Sequence, residues 1–135
     1  TRARQMTKPK WLLVDAVLAI HKMLIAEHGG ATKMRDRGLL ESALARPQNL
    51  FGYEEPKPSL TRLAASYAFG IAKNHPFVDG NKRVALTAAA VFLEINGWSL
   101  KADEAEAVNV FLDLATGKLG EDDMAVWLEQ NTRRQ

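Results

Sequence analysis

Residues 84–93 read VALTAAAVFL, ten positions that are apolar except for Thr87. A helix that is apolar on every side must be surrounded by others, so this stretch predicts a central buried helix in an all-α protein. Gly97 ends it on one side. On the other side, Leu60, Leu63, Ala64, Tyr67, Ala68, Ile71 and Ala72 trace the face of a preceding helix. Pro76 bars its predecessor from helical geometry and stops that helix around Asn74.

Further toward the N-terminus, Leu39, Leu40, Ala43 and Leu44 form a short helix predicted to end before Pro47, with a loop over residues 47–58. Leu13, Val17, Ile20 and Leu24 fall at helical spacing in a first amphipathic helix that Gly29-Gly30 closes. The apolar stretch at 11–20 is interrupted by Asp15 and is too short to span a bilayer, which needs about 20 apolar residues. Residues 32–37 are polar and extended, with room for a short β-hairpin. Toward the C-terminus, Asp103 and Glu106 read as a capping box opening a fifth helix. Gly117 and Gly120 divide it from a sixth, whose first turn carries Glu121, Asp122 and Asp123, as the helix dipole favours. The expectation is a compact six-helix domain over residues 11–135 after a flexible segment at 1–10, with Met6 as a plausible native start.

Composition narrows the function. The 135 residues contain no cysteine, which excludes a disulfide scaffold, a thiolate metal site and a cysteine nucleophile, and suits a reducing cytoplasm. Eighteen Lys and Arg against sixteen Asp and Glu leave a net charge of +2, too small to mark a nucleic-acid binder. No direct nucleic-acid binding and no membrane association are expected.

The helix grammar breaks at one place, residues 75–83, HPFVDGNKR. Lys82 and Arg83 fall in the first turn of the central helix, at the positive end of its dipole, where each cation costs roughly 0.3–1 kcal/mol. An anion resolves the conflict: free N–H groups at a helix start, with two cations, form a phosphate site. Gly80 removes a side chain where a ligand approaches the backbone. Asp79 supplies a carboxylate of the kind that holds Mg²⁺ beside phosphates. His75 is the one group here suited to accept a proton near neutral pH, and Phe77 reads as an apolar anchor for the loop. Each residue alone also has a plainer reading, Asp79 as a helix cap and the cations as solvated charges. Together they describe phosphate transfer from a nucleotide. The pattern is not a Walker A loop. His21 and His28, roughly 10 Å apart along a helix, are too far apart to share a zinc ion.

The same nine residues resemble the signature of the Fic/Doc (Fido) family, His-Pro-Phe-x-Asp/Glu-Gly-Asn-Gly/Lys-Arg, at all eight defined positions. GLLESALARP at 38–47 and the following helices resemble its death-on-curing (Doc) branch. The resemblance implies a six-helix fold with the signature loop between two central helices. It assigns His75 as general base, Asp79 to Mg²⁺, and Gly80, Asn81, Lys82 and Arg83 to the phosphates of ATP. It also places Thr32, Lys33, Met34 and Arg35 on a flap that docks the target by strand pairing. Most Fic members have Gly at position 82 and transfer adenylate, whereas Lys82 matches the Doc toxins, and Leu86 replaces a second Arg of many adenylylating members. For that branch the resemblance implies a toxin-antitoxin system and a protein kinase acting on a threonine of elongation factor Tu.

No Glu here has Ser or Thr four residues before it, so the self-inhibitory helix motif of many Fic enzymes is absent. Restraint is then expected from a Phd-like antitoxin whose disordered C-terminal segment folds onto the toxin, with Trp11, Trp98 and Trp127 as contacts or core residues. An adenylyltransferase and a non-catalytic binding module stand as the alternatives.

Overall fold

Among the described residues six helices form, as the hydrophobic spacing led one to expect in number and order: α1 (Val14–His28), α2 (Arg37–Tyr53), α3 (Leu60–Asn74), α4 (Asn81–Ile95), α5 (Glu104–Thr116) and α6 (Glu121–Gln130). The structure is a computed structural model describing residues 8–135. Of the flexible segment expected over 1–10, residues 1–7 lie outside the described residues. Lys10 is tied by its backbone N–H and C=O to the Asn96 side chain. Three helices start on side-chain caps: Asp36 accepts from Leu39 N, Ser59 from Arg62 N and Asp103 from Glu106 N. The reciprocal half of the Asp103 capping box is not made, because the Glu106 carboxylate accepts from the Trp127 indole at 3.0 Å.

α3 and α4 share the centre. α3 packs against α2, α4, α5 and α6, and α4 against α1, α3 and α5. Nine residues of α3 are buried and seven of α4, so the preceding helix is as central as the one singled out by its apolar run. Gly70 lets α2 and α3 approach backbone to backbone, since a Cβ there would lie 3.1 Å from Ala43 Cα. Leu13 lies outside the buried stripe of α1, at 71% exposure, while Val17 and Leu24 hold it.

Two expectations about the chain between α2 and α3 fail. α2 does not stop before Pro47 but runs through it to Tyr53, and the loop shrinks to residues 54–59. A proline inside a helix costs about 3 kcal/mol. Here Pro47 is itself buried, and continuing the helix packs Leu50 and Phe51 on the core, with Phe51 edge-on to Trp11 at 5.8 Å. Full burial of such a side chain is worth about 1.5–3 kcal/mol, so the partial burial of both, added to that of Pro47, works against the cost of the break. The chain also contains a small antiparallel pair that the helical patterning did not reveal: β1 (Trp98–Leu100) and β2 (Thr132–Arg134), in register Trp98 to Arg134. Three-residue strands carry too little alternation to read.

Over residues 32–37 there is no hairpin. The segment is extended and makes a single antiparallel bridge, Met34 to Phe77, so its partner is the signature loop rather than its own neighbours. No described helix is long and apolar enough to cross a membrane.

Candidate active site

The loop between α3 and α4 is shaped by two residues of left-handed backbone and one buried amide. His75 caps α3 in the left-handed region, φ 55 and ψ 56, and Gly80 opens α4 at φ 87. A side chain at Gly80 would also press on Ile25 Cδ1 at 3.3 Å. Between them Asn81, buried, closes the turn: Phe77 N–H donates to its Oδ1 at 3.1 Å, and its Nδ2 donates to Phe77 O at 2.8 Å. These two bonds orient the amide, so its remaining N–H faces His75 Nδ1 at 3.2 Å. The acceptor lone pair of the neutral imidazole is therefore at Nδ1.

Phe77 is the loop's anchor, 1% exposed and stacked on the His21 ring at 3.8 Å, with 9° between the planes. His21 Nε2 lies 2.9 Å from the Asp79 carbonyl, so His21 supports the loop from below at two points. Sequence reasoning weighed His21 only as a metal ligand and missed this role. The available signal was a polar residue four after Val17 and three before Leu24, on the apolar stripe of α1. Asp79 Oδ2 accepts from Ala31 N–H at 2.7 Å. That contact depends on the corner at Gly30, where a Cβ would meet Asp79 Cβ at 3.2 Å.

Lys82 is exposed and Arg83 half-buried, both in the first turn of α4, and neither has an ion-pair partner among the described residues. His75, Asp79, Gly80, Asn81, Lys82 and Arg83 all line one cleft of about 620 Å³. Its far wall is apolar, formed by Leu24 and Ile25 of α1 and by Leu112 and Ala115 of α5, with His28 and Thr116 at the polar margin. That wall was not foreseen, because its residues come from α1 and α5, distant from the signature in sequence on both sides. Thr87 does not line the cleft, and Leu86 lines a small separate cavity with Val108, Phe111 and the two cations.

Of the flap residues, Thr32 and Lys33 are exposed, and Met34 packs on the core. Arg35 turns back onto the end of α3: its guanidinium donates to the carbonyls of Asn74 and His75. Trp11, Trp98 and Trp127 are all half-buried and pack on the core, Trp11 against Phe92 and Trp127 against Phe111.

Residues 11–93 match the Fic/DOC family, well over half of the chain. The chain belongs to this family. It is 33% identical over 111 residues to the Protein kinase doc of Escherichia phage P1, covering 82% of this chain and 86% of that one. It is 49% identical over 75 residues to the Toxin Doc of Mycolicibacterium smegmatis, covering 56% of this chain. That match spans 58% of the mycobacterial protein, under two thirds of its length. The Fic/DOC signature thus sits on a cleft with a cationic floor and an apolar wall.

The donor set fits a nucleotide with Mg²⁺ better than a resident metal. Among the described residues no group of three or more His, Asp or Glu is placed to hold an ion. Mg²⁺ commonly takes one or two protein carboxylates and completes its shell with water and substrate phosphate oxygens. Asp79, with one oxygen held by Ala31, is a carboxylate of that kind.

Proposed function

We propose that this chain is a Doc-type toxin: a protein kinase that transfers the γ-phosphate of ATP to a threonine of elongation factor Tu and so arrests translation. The reading rests above all on one observation, two cations at the start of α4 that have no ion-pair partner among the described residues and share a cleft with His75 and Asp79. The relatives named Toxin Doc and Protein kinase doc support it.

In this reading the phosphates lie on the α4 N-terminus, held by the N–H groups beside Gly80 and by Lys82 and Arg83. The base and ribose rest on Leu24, Ile25, Leu112 and Ala115. Mg²⁺, held by Asp79, would offset phosphate charge. The target threonine replaces the Asn81 N–H at His75 Nδ1 and delivers its proton there as its oxygen attacks the γ-phosphorus. The bond to the β–γ bridging oxygen breaks, and ADP leaves. Most of the rate comes from preorganised positive charge around the transferring phosphoryl group. Lys82 favours γ- over α-transfer, because its side chain fills the space that Gly would leave for the inner phosphates and adds a cation there.

The flap fits a docking role through its free edge. Arg35 N–H and Lys33 C=O bond the loop at Pro76 and Val78. In an antiparallel bridge of this kind, the central residue turns its own N–H and C=O to the opposite side. Met34 therefore offers an edge to a target strand. Control falls to an antitoxin whose disordered C-terminal segment folds onto the toxin.

Incubation with a translation extract and ATP labelled at either the α or the γ position tests the chemistry. Label entering protein from the γ position is the expected result, and label from the α position alone overturns the kinase. His75→Ala is expected to lower transfer by about 10²–10⁴-fold. The exposed ring contributes little to stability, so the thermal midpoint should barely move.

A further inference from the structure

We propose that Arg35 is a positioning residue for His75, locking the backbone of the base to the flap. The proposal rests on the base role given to His75 above. Arg35 meets three successive carbonyls: its backbone N–H donates to Pro76 O at 2.7 Å, Nε to His75 O at 2.8 Å and Nη2 to Asn74 O at 2.8 Å. No other described residue grips the end of α3 in this way.

These carbonyls are where the chain leaves helical geometry. His75 is the only non-glycine residue described with a positive φ, a conformation that L side chains hold only when their surroundings impose it. The last carbonyls of a helix lack partners within the helix and carry the negative end of its dipole. A guanidinium is suited to both conditions, because its fixed fork fills two acceptors at once and its charge opposes the dipole. A lysine at this position would reach one carbonyl at a time. Arg35 is exposed and has no carboxylate partner among the described residues, so these bonds account for its placement.

The consequence is mechanical coupling. The residue before Arg35 presents the free edge, and the side chain of Arg35 sets the peptide that carries the imidazole. A target strand paired at Met34 is thereby placed in fixed relation to His75. Arg35 then acts on the turnover step and not on target affinity.

The test compares the full chain with Arg35→Ala and Arg35→Lys in two independent measurements. Backbone amide exchange by NMR, without nucleotide or target, should show His75 and Phe77 exchanging at least tenfold faster in the Ala variant, with the Lys variant between. Phosphate transfer to purified elongation factor Tu should show kcat at least tenfold lower in the Ala variant, with KM for the target within twofold, and partial recovery in the Lys variant. Unchanged exchange overturns the proposal, as does a raised KM at unchanged kcat, which would place Arg35 on the target. If the wild-type chain moves no γ-phosphate, the kinase reading fails, while the exchange measurement still decides the clamp.

Discussion

The starts of α4 and α6 differ in charge and in the conformation of the opening glycine, left-handed at Gly80 and extended at Gly120. Each is opened by a glycine that gives no side-chain cap, Gly80 for α4 and Gly120 for α6. α6 then carries Glu121, Asp122 and Asp123, and Glu121 is held by Arg46 at 2.8 Å and Arg62 at 3.1 Å. α4 carries Lys82 and Arg83, with no acid in its first turn. At α6 the positive end of the dipole is answered from within the chain, and three helices are joined by one carboxylate. At α4 it is left unanswered and opens on a cleft. In the reading proposed above, the difference separates a helix end devoted to stability from one kept for an anion.

The largest expected effect concerns the support the two ends share. Tyr67 on α3 is fully buried, and its hydroxyl accepts from Leu12 N–H at 3.1 Å. Burial pushes the phenol up to about 12 from 10.0, against the lowering effect of that bond. Folding therefore favours the neutral phenol. Its contribution is intact below pH 10.0 and is lost as pH rises toward about 12. A shift of that size corresponds to roughly 2–3 kcal/mol. Urea unfolding across this range should show α4 and α6 lost together, and Tyr67→Phe should flatten the dependence. A Phe variant with the same alkaline loss would sink the assignment.

Next in size is Glu121→Gln, which leaves Arg46 and Arg62 sharing a neutral amide. A loss of about 1–3 kcal/mol is expected by denaturant unfolding, with phosphate transfer intact. A transfer defect would mean the two helix ends are not independent. Smallest is Lys82→Glu, which gives α4 the charge that α6 already has. Stability should rise by up to about 1 kcal/mol in thermal unfolding while ATP binding is lost. A fall in stability would break the comparison.

The six helices and the signature loop were legible because period, caps and glycines act locally. The conflict of Lys82 and Arg83 with the dipole was legible for the same reason. Pro47 misled because the local rule against proline was outweighed by burial of Leu50 and Phe51, which depends on α3 and Trp11. The apolar wall and the support from His21 were hidden because they join α1 and α5 to a loop distant in sequence. Arg35 was read as part of a flap, and only the fold reveals that its side chain points back to α3.

The missing side chain at Gly70 has a further effect. It sets how closely α2 and α3 lie at the contact with Ala43, and α3 ends on Asn74 only four residues later. At the helical rise this is about 6 Å, just over one turn. Arg35 grips α3 from the segment that leads into α2, so the two helices act like the arms of a pair of tongs with its pivot at Gly70. A methyl group there would widen the pivot, and the opening would be felt first at the tip, where the imidazole is held.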